Sequence, residues 1–512
     1  MARRPAGAGA RRIAALRTAL TGWLGRPLAD FHLLLAVFGL LTALGLVMVL
    51  SASSPTSVSS TGSAYSVFAK QAVFACVGLV AFYVGLRVPL RRIRALSAPA
   101  LLVCLVLLVL VLTPLGTEAG GARSWFTVLP GVSFQPIEVA KVALALWGAH
   151  VLVTKRAMLH QYRHLLVPLV PVALIMFALL MLQPDLGGTI TLVVVLISLL
   201  WFVGAPMRLF AALAAGLVVG VVTLALVADY REARVLAFLN PEADPDASFQ
   251  SVQAIYALAS GGLFGKGLSQ GTAKWQYLPR PTDDFIFAVI GEELGLLGCA
   301  VVLGLFALLA VTGLRIASRN TDPWIRLVSG TLTVWLVAQA AINIGYVVRL
   351  LPVTGITLPL ISAGGTSMVT TMLVFGILAN CARHEPEAVA ALRTFGPGRV
   401  GGLLRLPATE PYRPPARRRP ARPSTPPKRP GRPAGVSGRS AAQLMEERWR
   451  AGRSAPPSDY RRRGARRTGQ QRSARGRGSA GYTSRDRDSG RGSGSGDSGR
   501  YGYGRTAEGG NR

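Results

Sequence analysis

The chain has 512 residues, 51% of them hydrophobic, and a formal net charge of +32. Apolar residues gathered into long blocks at that abundance exclude an ordinary soluble domain. About +20 of the charge lies beyond Gly398, so the basic excess belongs to a tail and not to the apolar region.

Ten apolar runs follow one another, near 32–52, 67–86, 98–115, 137–154, 165–182, 186–204, 208–227, 285–314, 327–349 and 361–381. Each approaches the roughly 20 residues that a helix needs to cross a hydrocarbon core of about 30 Å. The eighth is longer, so it must tilt, kink or project from the bilayer. The pattern predicts an all-α polytopic membrane protein of about ten transmembrane helices. Its expected parts are a basic N-terminus over 1–30, a membrane domain over 31–383 with a large loop at about 228–284, and a tail over 384–512.

Basic residues flanking the spans set the orientation. Arg3, Arg4, Arg11, Arg12 and Arg17 precede the first span, Arg87 to Arg94 follow the second, and Lys155 and Arg156 follow the fourth. Arg315, Arg319 and Arg326 follow the eighth. With ten spans all of these fall on one side, which makes both termini cytoplasmic and the 228–284 loop external. The tail is rich in Arg, Pro, Gly and Ser and has too few large apolar residues to offset the entropy of ordering, so disorder is expected. It suits anionic lipid head groups or a cytoplasmic partner better than nucleic acid, because it is tethered to a membrane bundle. Residues 441–450, Ala-Ala-Gln-Leu-Met-Glu-Glu-Arg-Trp-Arg, can fold as a helix on binding.

The four cysteines, Cys76, Cys104, Cys299 and Cys381, fall in or beside the spans and read as buried free thiols. They form no CxxC pair and the five histidines do not cluster, so neither a zinc site nor a histidine metal site is expected.

Polar residues at membrane depth need a reason, since a charge there costs at least ~2.5–3.5 kcal/mol. Gly120 to Trp125, with Arg123, precedes Gln135-Pro-Ile-Glu138 and Lys141. Glu138 and Lys141 are three apart and share a helix face, either as a structural pair or as part of a cluster facing a charged head group. In Gln183-Pro-Asp-Leu-Gly187, Asp185 either caps the sixth span or contacts substrate. The Gly-rich stretch 260–267 lacks the context of a phosphate-binding P-loop; with Lys266, Lys274 and Arg280 it puts positive charge near Asp284. Asp284, Ala288, Glu292 and Gly295 lie along one stripe, while Glu293 points about 100° away. The two glutamates suit support inside the bundle, and Asp284 suits either a helix cap or an acid facing the external side. Two prolines and paired glycines break residues 351–367 at membrane depth, where irregular backbone must line a cavity or be covered. Ser362, Thr366 and Ser367 offer hydroxyls there.

From about Asp30 to His384 the order and spacing of these blocks resembles the SEDS glycosyltransferases of bacterial cell-wall synthesis. The blocks are residues 44–53, Gln135 to Lys141, Gln183 to Gly187, 282–295 and 351–367. The first block and the basic N-terminus are more similar to the cell-division branch than to the elongation branch. Two positions depart from the usual pattern: Ile137 stands for Ser, and Thr282 for His, with Asp283 beside Asp284.

The resemblance implies a SEDS-type bundle in the bacterial plasma membrane that polymerises lipid II on the outer face. The GlcNAc 4-hydroxyl of one lipid II would attack the anomeric carbon of a lipid-linked strand with inversion, and undecaprenyl pyrophosphate would leave. It implies Asp284 as the base, with Arg123, Glu138, Lys141, Asp185, Lys266, Lys274, Ser362 and Thr366 as substrate contacts. It implies a class B penicillin-binding protein and other division proteins as partners. No cofactor is fixed, and a divalent cation is an option. The alternatives are a lipid II flippase, or a polymerase of elongation or sporulation.

Overall fold

In a computed structural model of the chain, the described residues are 22, 25–119, 122–129, 132–158, 161–216, 245–275, 281–412 and 441–451. They fall into two compact units, Met1–Ala416 and Arg417–Arg512. The first unit runs α1 (Ala29–Thr61), α2 (Ser66–Arg87), α3 (Leu90–Leu110), β1 (Thr117–Ala119), β2 (Ala122–Leu129), β3 (Val132–Phe134) and α4 (Pro136–Thr154). It continues with α5 (Tyr162–Leu166), α6 (Leu169–Leu182), α7 (Leu186–Val203), α8 (Met207–Gly216) and α9 (Pro245–Gly261). It ends with α10 (Ile286–Arg319), α11 (Pro323–Val347), α12 (Gly365–Ala382), α13 (Pro386–Phe395) and α14 (Gly398–Leu403). In the second unit the described element is α15 (Ala441–Ala451), over the segment expected to be able to form a helix. Most of the basic N-terminus, the loop parts 217–244 and 276–280, and the rest of the tail beyond 412 lie outside the described residues.

Eight of the described helices, α1–α4, α7 and α10–α12, are long and apolar enough to cross a membrane. The chain is a multi-pass membrane protein. The fifth expected run is the shorter α6, whose 14 residues rise only about 21 Å. Pro168 causes the shortening: it has no amide to donate, so the helix restarts after it. Of the seventh run, α8 is the described part. The expected tail boundary at 384 falls before further folded chain. The α13–α14 segment packs back on the bundle, with the Arg383 guanidinium donating to the Pro407 carbonyl (2.7 Å) and the Tyr83 hydroxyl to that of Leu404 (3.2 Å).

The centre of the bundle is a packed apolar core in which α12 lies along α2. Phe38 of α1 stacks on Phe82 of α2 (centroids 4.4 Å apart) and also meets Phe375 of α12. The Asn380 amide donates to the carbonyls of Gly85 and Val88, a polar tie of the kind that holds helices together where the surroundings offer no water. At one end of the bundle, Asp30 at the start of α1 pairs with Arg315 (3.2 Å) and Arg319 (3.5 Å) at the end of α10. Asp284, which precedes α10, is therefore at the opposite end.

At that opposite end a small antiparallel sheet, ordered β1–β2–β3, sits where the sequence pattern predicted only a loop. Glu118 faces Arg123 across the first ladder, and Phe126 faces Phe134 across the second. β1 and β3, of three residues each, are too short to register as periodicity, and β3 leads through Gln135 into α4. Residues 348–364, between α11 and α12, are irregular and pass under α1. A Cβ on Gly45 of α1 would fall against the Leu360 carbonyl, and its next neighbour would be the Ile361 Cα at 2.8 Å. Leu360 is itself left-handed, with φ 65°, so this backbone has little freedom to retreat.

Gly45→Ala is expected to lower the thermal midpoint in detergent, with an overpacking cost of about 1–3 kcal/mol. Gly39→Ala, six residues earlier on the same helix with nothing within 4 Å, is expected to leave the midpoint unchanged.

Candidate active site

At the distal end of the bundle lies a partly open cavity of about 180 Å³. Its walls come from β2 (Trp125), α4 (Gln135, Glu138, Lys141), the start of α7 (Asp185 to Thr191), the approach to α10 (Asp283, Asp284), α11 (Gln339) and the irregular segment with the start of α12 (Gly355 to Ser367).

Pro136 opens α4 at the one helical position where a missing amide costs nothing. The first turns then turn Glu138 and Lys141 inward. The Lys141 ammonium donates to Glu138 Oε1 at 2.9 Å and lies 4.9 Å from the centroid of the Trp335 ring. Lys141 is 1% exposed, and the carboxylate and the ring face together replace the water it has lost. Among the described residues, Lys141 is the one basic side chain in the cavity wall.

Asp185 caps α7 and also lines the cavity. Its Oδ1 accepts from the Gly188 amide (2.7 Å), a helix N-cap for α7, while Oδ2 accepts from the Gln135 side chain (3.0 Å) and faces the cavity. Thr366 ties a third element in: its hydroxyl accepts from the Gln135 amide (3.1 Å) and donates to the Ser133 carbonyl (3.3 Å). The sheet, α4, α7 and α12 thus converge on one small volume.

Asp284 is held by its backbone. Its carbonyl accepts from Asn343 Nδ2 and from the Tyr346 hydroxyl, both at 2.9 Å, and the same two groups bond the Ile356 carbonyl at 2.7 and 2.6 Å. The clamp from α11 fixes the residue before α10 beside Gly355, whose φ of 70° only glycine takes without strain. A Cβ at 355 would sit 3.7 Å from Asp284 Oδ2, so the missing side chain leaves space in front of the carboxylate. Asp283 accepts from the neighbouring Thr282 hydroxyl at 2.9 Å. Gln339, one turn before Asn343, donates to the Thr357 carbonyl (3.0 Å), and among the described residues its buried Oε1 has no partner.

Of the expected contacts, Glu138, Lys141, Asp185, Asp284 and Thr366 meet at the cavity. Four others are placed elsewhere. Arg123 is exposed on β2 and is not among the residues of the cavity wall. Ser362 uses its hydroxyl to cap the Leu358 amide (2.8 Å). Lys266 and Lys274 are ion-paired to Glu292 and Glu293, each at 2.8 Å, outside the cavity wall. Arg280 lies outside the described residues. Cys76, expected to be buried, is exposed on α2. The residues that sequence reasoning missed are Gln339, Asn343 and Tyr346. Their spacing of four and three, on one face of an apolar helix, was the available signal. Among the described residues no three His, Cys, Asp or Glu side chains gather as a metal cage.

A family model described as "Cell cycle protein", FTSW_RODA_SPOVE, matches residues 31–387. The chain is 51% identical over 401 residues, 78% of its own length and 76% of the relative's, to a protein of Mycobacterium tuberculosis named "Probable peptidoglycan glycosyltransferase FtsW". It is 38% identical over 355 residues to the stage V sporulation protein E of Bacillus subtilis, covering 69% of this chain and 97% of that one. Among solved structures, the Thermus thermophilus rod shape determining protein RodA aligns with a TM-score of 0.51 at 30% identity, over 71% of this chain and 99% of that one. A chain from "Structural coordination of polymerization and crosslinking by a peptidoglycan synthase complex" aligns with a TM-score of 0.58 at 29% identity, with the same coverage.

Glu138→Ala strands the buried Lys141 charge and is expected to destabilise the protein by roughly 3–5 kcal/mol. Glu138→Gln with Lys141→Met removes both charges and is expected to recover most of that loss in thermal unfolding. A double variant no more stable than Glu138→Ala would show that the pair does not control stability.

Proposed function

The chain belongs to the cell cycle protein family of FtsW, RodA and SpoVE, and on that premise we propose that it is a peptidoglycan glycosyltransferase that polymerises lipid II during septal wall synthesis. The observation that carries the reading is the meeting of Asp284 with Glu138, Lys141 and Asp185 in one cavity, from segments up to 146 residues apart in the chain. They come from three separate segments: α4, the start of α7 and the approach to α10.

A sugar hydroxyl is a poor nucleophile, and a positioned base contributes about 10²–10⁴-fold. Asp284 is the proposed base. Its backbone is clamped and its carboxylate faces the gap above Gly355. The GlcNAc 4-hydroxyl gives its proton to Asp284 as its oxygen bonds to the anomeric carbon of the strand, and the bond to undecaprenyl pyrophosphate breaks with inversion. Negative charge gathers on the departing pyrophosphate and calls for a cation; Lys141 is the group in the wall that answers it. Gln339 Oε1 and Thr366 are placed to orient sugar hydroxyls. The external side of the membrane, cytoplasmic termini, and partnership with a class B penicillin-binding protein and other division proteins complete the proposal.

A lipid flippase is the second reading, because α10 is interrupted at Gly295 (φ 67°, ψ −166°) and transporters use broken helices near their substrate sites. Vesicles reconstituted with the protein and lipid II separate the two: flipping without polymer would sink the polymerase.

Purified with its transpeptidase partner and given lipid II, with and without added Mg²⁺, the wild type is expected to make long glycan. Asp284→Ala is expected to lose about 10²–10⁴-fold in rate, and Asp283→Ala to keep most of it. The reverse pattern would move the base to Asp283.

A further inference from the structure

The interruption of α10 is filled by protein. In an unbroken helix the amides of Leu296 and Leu297 would donate to the carbonyls of Glu292 and Glu293, four residues back. Here they donate to the carbonyls of Gly262 (3.0 Å) and Leu263 (3.3 Å). The freed carbonyls of Glu292 and Glu293 accept from the amides of Lys266 (2.9 Å) and Gly267 (3.0 Å). Two lost helical bonds are replaced by four to the loop that follows α9. Such an approach needs glycine on both sides: a Cβ on Gly295 would run into the Gly265 amide, and one on Gly265 into the Glu293 carbonyl.

The side chains repeat the exchange. Glu292 accepts from the Lys266 ammonium (2.8 Å), from the amide and hydroxyl of Thr272 (2.8 and 2.9 Å) and from the Ala273 amide (3.0 Å). Glu293, fully buried, pairs with the equally buried Lys274 at 2.8 Å. The Ser51 hydroxyl of α1 donates to Glu293, at 2.7 Å to Oε1 and 2.6 Å to Oε2, and accepts from Lys274 at 3.2 Å. One buried cluster therefore joins three elements: α1, the loop 262–275 and α10. What it holds is the helical piece over 286–294, directly after Asp284. Nine residues are fewer than the roughly 12–15 that an isolated helix needs to be even marginally stable. The place of this piece is therefore set by its tertiary contacts.

We infer that Lys274, Glu293 and Ser51 are positioning residues for the proposed reaction, fixing through the 286–294 half-helix where Asp284 stands. The inference rests on the reading of Asp284 as the base. Neither Lys274 nor Glu293 lines the cavity, so both act through another residue and neither binds substrate. A misplacement of about 1 Å costs on the order of 100-fold in rate, whereas substrate affinity is set by walls that the cluster does not touch.

The test uses the full chain with its transpeptidase partner. Lys274→Met is expected to lower kcat for lipid II polymerisation about 100-fold with KM within about threefold. Hydrogen exchange in the same variant, without substrate, is expected to speed up over 286–294 as well as over the loop 262–275. If Lys274→Met does not fold, Lys274→Met with Glu293→Gln, which leaves no stranded charge, takes its place in both measurements. A raised KM with kcat retained would make Lys274 a substrate contact and overturn the inference, and so would unchanged kcat in a folded variant. If the wild type makes no polymer, the polymerase reading fails by itself. The exchange experiment then decides the inference alone, and faster exchange confined to 262–275 would overturn it.

Discussion

Everything at the distal end of this bundle depends on one constraint: a charge or a backbone polar group carried away from water must be met by another part of the protein. Lys141 and Glu138 meet each other and the Trp335 ring. Lys274 and Glu293 meet each other and Ser51. The open helical turn at Gly295 meets the loop 262–267. Leaving any of these groups unpaired would cost several kcal/mol, a large fraction of the net stability of a folded chain. The partners come from distant segments, so satisfying the charges also fixes which segments meet.

The same rule explains why irregular backbone is tolerated where the cavity forms. Residues 348–364 cannot use a helix to satisfy their carbonyls. Asn343 and Tyr346 of α11 do it instead, bonding Ile356 and Asp284 together. Gln339 bonds Thr357, and the Ser362 hydroxyl caps the Leu358 amide. Together these bonds hold the backbone of Asp284 at the cavity wall. Among the side chains in the wall, Asp185 combines the roles most plainly, capping α7 with one oxygen and presenting the other to the cavity.

The proposed chemistry uses few groups, and the remaining polar residues hold them still. Lys266 and Lys274 show the difference. Near a proposed pyrophosphate site, lysines on a Gly-rich loop suggest phosphate contacts. Both are instead paired with the two glutamates of α10, and the glycines beside them serve close backbone approach. Composition near a site thus names the charges present without saying which of them reach substrate.

The sequence by itself determined the membrane class, the approximate positions of the spans and the short list of acids and bases that have no place in an apolar helix. Hydrophobic block length and the cost of buried charge are local properties, legible residue by residue. It also determined the family through the order of its motifs, and it marked Glu138, Lys141, Asp185, Asp284 and Thr366. Only the tertiary structure decided which of the marked residues share a cavity, since that depends on contacts between distant segments, as between Gln135 and Thr366, 231 positions apart. It decided that Asp185 both caps and faces the cavity, that Arg123 is exposed outside the cavity wall, and that two lysines pair with glutamates of α10. It also supplied the short sheet and the broken helix. Strands of three residues leave no period to read, and a helix break at Gly295 is stable only because a loop some thirty residues earlier supplies the hydrogen bonds it lost.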